Sequence, residues 1–515
     1  MKLGHAAAVA GVSGLLALSW EILWYRLISF ITGGPASAFG VLLASYLCGL
    51  AFGSLWVRRA CGDGEPTPAQ LRLPSILALA AALMAWAVAP VAARLVTVGP
   101  WPLVLPLIAV AAGLQGAILP LVAHLGIAPD AKAGARLSWI YLANIVGSTL
   151  GSLITGFVLL DILNFAQVSS LLGVVGTGLA LALAWLAPMP SRFVLAGAAQ
   201  ATAVLVAVLH GPAFGQFWER LQLKKDYSGQ HFPHVVETRS GVITVNDNGG
   251  IYGGGVYDGV FNIDLVNDRN RILRPALILA MHPQPKRILV IGLASGSWTQ
   301  LLANMPGVED ITAIEINPGY LELIGRFPQV ASLLKNPKVH IVIDDGRRWL
   351  EAHPTEKFDV VVQNTSFHWR GHSTNLLSIE YLQMVGLHLG TGGLFIWNTT
   401  DSIHAQKAGC LAFADALRFD NHMAASNRPI VLNPKRFTEK IQQIRIEGRP
   451  LLDTSVPEHA KRLAEIQRLI SEMPNGRTAY FERCPSVLDK CKDGPPVTED
   501  NMVSEFARSW WSIPD

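Results

Sequence analysis

Long apolar runs with few charged side chains dominate the first 212 residues of the chain. A helix needs about 20 consecutive, mostly apolar residues to cross the hydrocarbon core of a bilayer. The runs reach that length, so the pattern predicts an α-helical, multi-pass membrane domain over residues 1–212. We expect about seven spans, near residues 7–32, 37–57, 73–95, 102–125, 138–162, 165–187 and 192–212.

Two glycines in the fifth of these runs are four residues apart, in "NIVGSTLGSLITG". The spacing puts Gly147 and Gly151 on one face of a helix, and small residues on such a face let two helices approach closely. We expect this face to serve helix packing rather than ligand binding.

The pattern changes after Phe214, where charged residues become frequent and the apolar runs shorten. "HVVETRSGVITVND" alternates apolar and polar residues around Gly241, and "GGIYGGGVYDGVFNI" separates aromatic residues by glycines. Alternation interrupted by glycine turns is typical of β-strands in hairpins. Residues 213–275 are therefore predicted to form a small β-rich segment that opens the soluble part of the chain.

From residue 276 onward, short apolar runs alternate with helical patterns. The runs occur in "KRILVIGLASGSW", "DITAIEINPGYLELIGRF", "VHIVIDDGRRWLEA", "FDVVVQNTSFHW" and "GGLFIWNTT". Buried strands that alternate with helices indicate a doubly wound parallel sheet, the Rossmann-like α/β fold. Residues 276–515 are predicted to form this domain.

Composition agrees with a division into a membrane part and a soluble part. Only 15% of the 515 residues are charged, against about 25% in typical soluble domains, and the deficit lies in the first 212 residues. The formal net charge of +3 gives no strongly basic surface, so nucleic acid is not an expected partner.

Several candidate ligand-binding residues lie where the predicted parallel strands end, which is where doubly wound sheets bind their ligands. Gly292 and Gly296 bound a tight turn after the first strand, although Ala294 replaces a middle glycine and weakens that signal. Glu315 closes the second strand, where a carboxylate can accept the hydroxyls of a ribose. Asp345 closes the third strand and could accept an adenine amino hydrogen. Together they predict a nucleoside-type ligand.

Polar and aromatic side chains crowd the end of the fourth predicted strand, in "QNTSFHW" at 363–369. Asn364 can orient a substrate but cannot accept a proton at neutral pH. His368 and His372 titrate near neutral pH when unperturbed. His368 could take part in catalysis or only pack beside Trp369, and the two interpretations are equally good. Asn364 and His368 are the candidate catalytic residues.

The cysteines and histidines give no metal-binding signature. The five cysteines include no CxxC pair, and the histidines lack the spacing of a zinc site, so no metal site is expected. Cys484 and Cys491 could form a small disulfide if their domain lies outside the cytoplasm.

These motifs together resemble the spermidine synthase, or polyamine aminopropyltransferase, branch of class I S-adenosylmethionine-dependent enzymes. "YSGQ" at 227–230, ahead of a strand-rich segment, resembles the family's N-terminal β-domain. "PVTEDNMVSEF" at 496–506 resembles its C-terminal acidic stretch. "SGLLALSWEILWYRLISFITGG" and "YLANIVGSTLGSLITGFVLL" resemble the membrane part of bacterial membrane-fused spermidine synthase-like proteins. The resemblance covers most of the chain.

The resemblance implies that the domain binds S-adenosylmethionine, decarboxylated S-adenosylmethionine or methylthioadenosine. Glu315 would hold the ribose, and Asp345 with Gly346 would face the adenine. The remaining residues that would line the cofactor are Gln230, Gly292, Ser295 and Gly296.

The chain departs from the family at the positions where carboxylates are expected. Ser295 stands where the family's glycine turn ends in an aspartate that meets the cofactor's tail. Asn364 stands at the position of the family's catalytic aspartate, and Phe367 replaces a second acid. In the segment before the first parallel strand, Asp268 is the only acid in register.

We therefore expect a membrane-anchored transferase that uses S-adenosylmethionine or its decarboxylated form and has an altered acceptor site. Two alternatives stay open: a methyltransferase acting on a small or membrane-associated acceptor, and a catalytically silent nucleoside-binding module that regulates the membrane domain. The expected partners are a small-molecule or lipid-associated acceptor and the membrane, and the soluble domain could also form a homodimer.

The expected location is the bacterial inner (plasma) membrane, but the charges of the loops disagree on orientation. Basic residues in three loops put the N-terminus in the cytoplasm, so an odd number of spans would place residues 213–515 outside. Basic residues directly after the last span favour the cytoplasm, where we expect the soluble domain. The first group comprises Arg58, Arg59, Arg72, Lys132, Arg136 and Arg192, and the second Arg220, Lys224 and Lys225.

Overall fold

The computed structural model of the chain describes residues 1–61, 67–365, 367–472 and 480–506. The chain divides into two compact units, Met1–Val242 and Ile243–Ser512. The division lies inside the predicted β-rich segment, and the domain boundaries after residues 212 and 275 stay predictions.

The first unit is mostly helical. Its helices are α1 (Leu3–Thr32), α2 (Ala36–Ala60), α3 (Pro68–Leu95), α4 (Val104–Gly116), α5 (Ile118–Gly126), α6 (Ala133–Ile154), α7 (Leu160–Ile162), α8 (Phe165–Ala184), α9 (Ser191–Phe214) and α10 (Phe217–Leu223), and the strand β1 (His234–Thr238) follows them.

Seven helical stretches of this unit are long and apolar enough to cross a membrane, as the apolar runs predict. The fourth stretch, Trp101–Gly126, contains both α4 and α5, and the fifth, Ala133–Ile162, joins α6 to α7 through a π-helical turn. Local sequence fixes where α3 begins. A capping box starts α3, in which Thr67 and Gln70 satisfy each other's backbone N–H groups.

Gly147 and Gly151 lie where α6 packs against α1. A Cβ atom at Gly147 would be 1.9 Å from the carbonyl oxygen of Gly11, and one at Gly151 would be 2.2 Å from that of Leu15. Asn144 Nδ2 also donates to the carbonyl oxygen of Ala10 at 3.1 Å. The two backbones touch, so the expectation that these glycines serve helix packing is confirmed.

The second unit begins with short strands and continues as alternating strands and helices. Its elements are β2 (Gly241–Val245), β3 (Gly250–Gly253), β4 (Val256–Val260), α11 (Leu273–Ala276), α12 (Ile278–Met281), β5 (Arg287–Ile291), α13 (Ser297–Ala303), β6 (Asp310–Glu315), α14 (Gly319–Arg326), α15 (Pro328–Ala331), β7 (Val339–Ile343), α16 (Gly346–Ala352), β8 (Phe358–Gln363), α17 (Ile379–Leu387), β9 (Leu389–Asn398), α18 (Ile403–Ala412), β10 (Asp415–Phe419), β11 (His422–Ser426), α19 (Pro434–Ile441), β12 (Arg445–Ile446), β13 (Arg449–Pro450), α20 (Pro457–Glu472), β14 (Phe481–Arg483) and α21 (Cys484–Lys490).

An eight-stranded sheet in the order β14-β10-β11-β9-β8-β5-β6-β7 organises this unit. The pairs β9–β8, β8–β5, β5–β6 and β6–β7 are parallel, and Ile291 of β5 lies between Gln363 of β8 and Ile314 of β6. The five predicted strands therefore form a doubly wound parallel sheet, as expected. The strands β11, β10 and β14 extend it in antiparallel fashion, which the sequence pattern did not indicate. The strand order reverses between β5 and β8, where such folds bind ligands.

Helices cover the sheet around a buried apolar core. Phe395, Trp397, Val361 and Tyr381 are completely inaccessible to solvent in this cluster, and full burial of each large apolar side chain contributes about 1.5–3 kcal/mol. The same packing orients the strand ends: Tyr381 donates its hydroxyl hydrogen to Gln363 Oε1, the last residue of β8. The end of β8 is therefore fixed from the core side.

The cysteine pairing differs from the suggested Cys484–Cys491 bridge. Cys484 is bonded to Cys410, which links α21 to α18, and Cys491 is a buried free thiol. The physical reason is the helix α21, which separates positions 484 and 491 by about 10 Å at 1.5 Å per residue, too far for a disulfide. The suggested pairing is wrong.

We expect Gly147→Ala to lower the melting temperature of the purified protein, because the added methyl group has to push two helix backbones apart. Overpacking of this kind costs about 1–3 kcal/mol. Gly178→Ala in α8 is the matched control, since no atom lies within 4 Å of a Cβ at that position. Equal melting temperatures for the two variants in detergent would contradict the assignment of Gly147 to a helix contact.

Candidate functional site

The candidate site lies at the carboxyl ends of β5 and β8. Gly292 follows β5 with a φ of +87°, and a Cβ there would be 2.6 Å from the carbonyl oxygen of Asn364. Only glycine can adopt this conformation and allow this approach without strain. The turns after the two central strands therefore touch, and Gly292 and Asn364 are brought together as the sequence predicts.

The same turn leads into α13 through Ser295 and Gly296. Gly296 has a φ of +70°, and a Cβ on it would be 3.0 Å from Ile324 and Leu333. Ser295 Oγ accepts a hydrogen bond from Asn270 Nδ2 at 3.1 Å and lies 2.9 Å from Ser297 Oγ. Ser295 is thus buried in a neutral hydrogen-bond network, with no carboxylate at that position.

Glu315 is a buried carboxylate that holds this turn in place. Its Oε2 accepts the backbone N–H groups of Leu293 and Ala294 at 2.8 and 3.4 Å, and its Oε1 accepts that of Asn317 at 2.9 Å. Burial raises the pKa of Glu315 to about 7, and the nearby charge of Asp258 acts in the same direction. A carboxylate offers about four acceptor positions, so these three bonds leave capacity for a ribose hydroxyl.

Asp345 and Gly346 lie at the end of β7. Asp345 Oδ1 accepts the backbone N–H of Arg348 at 2.9 Å and so caps α16. A Cβ on Gly346 would be 2.5 Å from Ile291 Cγ2, which brings this turn against the end of β5. Asp345 therefore has a structural role that is compatible with the predicted contact to an adenine.

Asn364 and His368 occupy different parts of the segment after β8. Asn364 Oδ1 accepts a hydrogen bond from Asn398 Nδ2 at 3.3 Å, which makes a neutral amide pair at the ends of β8 and β9. His368 Nδ1 lies 2.8 Å from Thr400 Oγ1, and its backbone N–H donates to the same oxygen at 2.9 Å. Thr400 therefore fixes the ring of His368. Ser366, in the same segment, lies outside the described residues.

Two other residues that the sequence analysis singled out, Gln230 and Asp268, make local structural hydrogen bonds. Gln230 belongs to the first unit, where it is exposed and bonds to the backbone of Asp226 and Ser228. Asp268 in the second unit accepts the backbone N–H groups of Ile272 and Leu273 and so caps the start of α11. Its Oδ2 also lies 3.9 Å from Arg462 Nη2.

The structure adds one carboxylate that the sequence reasoning missed. A cavity at the strand ends is lined by Asp258 of β4 together with Asn270, Val290, Gly292, Leu293, Ala294, Ser295, Trp298, Val362 and Asn364. Asp258 is the one acid in "VYDGV", among aromatic, apolar and glycine residues, but this local pattern does not show which part of the fold the strand faces. The β-rich segment thus contributes directly to the site of the parallel sheet.

Asp258 is held by groups from two other elements. Tyr320, near the start of α14, donates its hydroxyl hydrogen to Asp258 Oδ2. Burial raises the pKa of Asp258, whereas the Tyr320 hydrogen bond and the positive charge of Arg370 lower it. Burial and the adjacent carboxylate raise the pKa of Tyr320 well above its usual value, so this phenol donates its proton rather than losing it.

No group of three histidine, cysteine, aspartate or glutamate side chains within the four described ranges is arranged to hold a metal ion. The polar groups of the site are amides, hydroxyls and isolated carboxylates. Such groups suit an uncharged nucleoside and its charged substituents.

The part of the chain that contains this geometry is similar to known proteins. Residues 276–426 match the spermine/spermidine synthase domain. A polyamine aminopropyltransferase of Mycobacterium tuberculosis (strain ATCC 25618 / H37Rv) is 28% identical over 417 residues, covering 76% of this chain and 77% of that protein. The spermidine synthase of Dictyostelium discoideum is 30% identical over 139 residues, or 26% of this chain and 48% of that protein.

Solved structures of spermidine synthases are also similar in part. One, described as a complex with the transition state analogue AdoDATO, is 18% identical and covers 48% of this chain and 88% of that chain, with a TM-score of 0.34. The spermidine synthase of Thermotoga maritima is 19% identical over 48% of this chain and 87% of that chain, with the same TM-score of 0.34.

The match over residues 276–426 coincides with the parallel strands, the Gly292 turn and Glu315. The chain therefore carries a spermidine synthase domain in its C-terminal region and is a relative of the polyamine aminopropyltransferases.

Proposed function

We propose that the second unit transfers an aminopropyl-type group from an adenosyl sulfonium donor to a small or membrane-associated acceptor. The observation that carries this proposal is the strand-end site itself. It combines a glycine turn in direct contact with the end of β8 and a buried Glu315 with spare acceptor capacity at the end of β6. The similarity to polyamine aminopropyltransferases supports the same reaction class.

The residues present fit an adenosyl group. The absence of a side chain at Gly292 lets the turns after β5 and β8 touch. Glu315 would accept the ribose hydroxyls, and Asp345 with Gly346 would face the base. When bound, such a donor supplies a carbon next to a sulfonium, so that an amine can form a C–N bond there while the C–S bond breaks and its electron pair stays on sulfur. The contribution of the chain is then mainly positioning.

The acceptor side of the site differs from what a cationic diamine would require. Asn364 pairs with Asn398 and carries no charge, and the rings of Phe367 and Trp369 lie 5.6 Å apart between centroids in a tilted arrangement. Carboxylates bind ammonium groups far better than amides do. We infer that the acceptor is less cationic than putrescine or spermidine, with His368 as the candidate group for its proton.

We expect the purified protein to release methylthioadenosine from decarboxylated S-adenosylmethionine when its own acceptor is supplied, and to show little activity with putrescine or spermidine. Asn364→Asp should increase the binding of both polyamines, because it restores a negative charge at the end of β8. Asn248→Asp, at an exposed turn, is the control for added charge. Efficient transfer to putrescine by the unmodified protein would contradict the altered acceptor site, and S-adenosylhomocysteine as the product would identify a methyltransferase instead.

A second prediction concerns Glu315. Hydroxyl donors bind the charged carboxylate more strongly, and its pKa lies near 7. The affinity for methylthioadenosine should therefore rise as the pH increases through 7 and level off above it. Glu315→Gln should lower the affinity at pH 8 by about 10- to 100-fold and remove the pH dependence.

Calorimetry at several pH values would measure both effects. Glu322→Gln, which changes an exposed glutamate on α14, is the matched control. An unchanged affinity in Glu315→Gln would remove this residue from the ligand site.

We place the chain in the bacterial inner membrane, with the transferase domain in the cytoplasm, where its donor is available. The Cys410–Cys484 pair, which is bonded in the structure, tests this orientation, because such a bond is reduced in the cytoplasm and persists in an oxidising compartment. We expect thiol trapping in living cells, followed by mass spectrometry, to find both cysteines alkylated. A 410–484 linked peptide from trapped cells would place the domain outside the cytoplasm and contradict a reaction that uses a cytoplasmic donor.

A further inference from the structure

A second cavity, with a volume of about 440 Å³, lies within the first unit. Its described lining residues all fall between positions 161 and 237, whereas those of the strand-end site fall between positions 258 and 364. Cavities that bind small ligands typically measure about 300–1,000 Å³. This cavity is therefore large enough for a ligand and shares no described lining residue with the strand-end site.

The cavity lies where three of the long apolar helical stretches begin or end. Asp161 is next to the last residue of the fifth stretch, Asn164 directly precedes the sixth, and Phe214 is the last residue of the seventh. In a chain of alternating membrane spans, these three positions lie on the same side of the membrane. The cavity therefore lies at the boundary between the apolar stretches and the polar segment that follows them.

One wall of the cavity consists of the aromatic side chains of Phe214, Phe217 and Trp218. The ring centroids of Phe214 and Phe217 are 5.4 Å apart and those of Phe217 and Trp218 are 4.8 Å apart, both in edge-to-face arrangements. Aromatic residues at the ends of membrane spans often anchor a protein in the lipid headgroups. These three are at most 9% exposed, so they form a wall inside the protein rather than an anchor facing lipid.

Three carboxylates, those of Asp161, Glu219 and Glu237, line the same cavity. Its described lining residues include neither lysine nor arginine. A buried carboxylate is costly unless hydrogen bonds or a cation compensate for its charge. The cavity thus combines an apolar aromatic wall with an excess of negative charge.

Glu237 connects the aromatic wall to the acidic one. Its Oε1 accepts the indole N–H of Trp218 at 2.8 Å, and its Oε2 accepts the backbone N–H of Phe165 at 2.8 Å. Burial raises the pKa of Glu237, whereas these two hydrogen bonds and the positive charge of Arg26 lower it. The bonds hold the carboxylate and the indole in fixed positions, so the cavity is formed before a ligand arrives.

Two arginines lie near these carboxylates without lining the cavity. Arg239 Nη1 lies 3.2 Å from Asp161 Oδ2, and more than half of the Arg239 side chain is exposed. Arg26 Nη2 donates to the carbonyl oxygen of Gly241 at 3.1 Å. The two arginines offset only part of the charge of the three carboxylates.

Glu219 is the carboxylate with an acceptor for a ligand. It is only 4% exposed, and its Oε1 accepts the backbone N–H of Phe232 at 3.1 Å. His231 Nδ1 lies 3.1 Å from the same oxygen. Within the described part of the chain both contacts are made by Oε1, so Oε2 keeps its acceptor positions.

We propose that this cavity binds a primary ammonium group, with Glu219 as the hydrogen-bond acceptor and the aromatic wall against the neighbouring carbon atoms of the ligand. A primary ammonium forms charge-assisted hydrogen bonds with carboxylates, and aromatic rings attract cations. Both the headgroup of an aminophospholipid and a free alkylamine carry this group. The site goes beyond the proposed function and does not depend on the adenosyl site.

Thermal melting of the full chain in detergent tests the proposal, because a ligand that binds only the folded state raises the melting temperature. The probes are n-butylamine, which is a cation at pH 7, and 1-butanol, which has a similar size and no charge. The unmodified protein should respond to n-butylamine at a lower concentration than to 1-butanol. Glu219→Gln should weaken n-butylamine by about 10-fold or more.

Asp226→Asn is the matched control, because Asp226 is an exposed acid of the same unit that does not line the cavity. Its response to n-butylamine should equal that of the unmodified protein. Val235→Trp is a second variant, which fills the cavity from its exposed side and keeps all three carboxylates. It should also lose the response.

Nanodiscs with equal amounts of phosphatidylethanolamine and phosphatidylglycerol distinguish the two sources of the ammonium. Native mass spectrometry that finds phosphatidylethanolamine retained by the unmodified chain, and lost from Glu219→Gln, would assign the site to a lipid headgroup. A response to n-butylamine that requires Glu219, without such retention, would assign it to a free amine. The proposal is overturned if n-butylamine and 1-butanol act equally on the unmodified protein, or if neither ligand depends on Glu219.

Discussion

The candidate site depends on one buried carboxylate, Glu315, which joins the end of β6 to the turn after β5. An isolated carboxylate in this position would be strongly disfavoured, and three backbone N–H groups compensate for its burial. Those bonds hold the turn in the conformation that brings Gly292 against Asn364. The same side chain is the candidate partner of a ribose, so the geometry of the turn and the binding of a ligand are coupled through a single group.

Around this fixed turn, charge is distributed differently from what the family resemblance implies. The ends of β5 and β8 carry Ser295 and Asn364, each paired with an asparagine. The negative charge lies instead on Asp258, which enters from the β3–β4 hairpin and is bonded to Tyr320. A site with one carboxylate among neutral polar groups can discriminate among ligands by the charge of one substituent. The negative charge at these strand ends therefore comes from a different element than the resemblance implies.

The parts of the fold that follow from local periodicity could be predicted from the sequence. The apolar runs of the first unit indicate helices, and the short apolar runs of the second unit indicate the strands β5 to β9. The residues that follow these strands could therefore be placed at the strand ends. The antiparallel strands β10, β11 and β14 were not predicted. The strand β14 has only three residues, and it pairs with β10 from a distant part of the chain. Asp258 was missed for the same reason: nothing local to "VYDGV" indicates that this strand faces the end of β5. The bond between Cys410 and Cys484 likewise joins residues separated by 74 positions.

The proposed donor side and acceptor side of the site are stabilised in different ways. We therefore expect the specificity for the donor and the specificity for the acceptor to be independent. The proposed donor side consists of strand ends held by the sheet and by Glu315. The proposed acceptor side consists of the segment after β8, where Thr400 fixes the ring of His368 and the buried Glu505 accepts the backbone N–H groups of His372 and Thr374 at 2.9 Å each. Because Glu505 comes from the C-terminal end of the described chain, the shape of the acceptor side depends on a distant segment rather than on the sheet. Under the proposed function, substitutions in that segment would alter the acceptor without disturbing the adenosyl site. This is the arrangement expected when related enzymes keep one donor and change the molecule that receives the group.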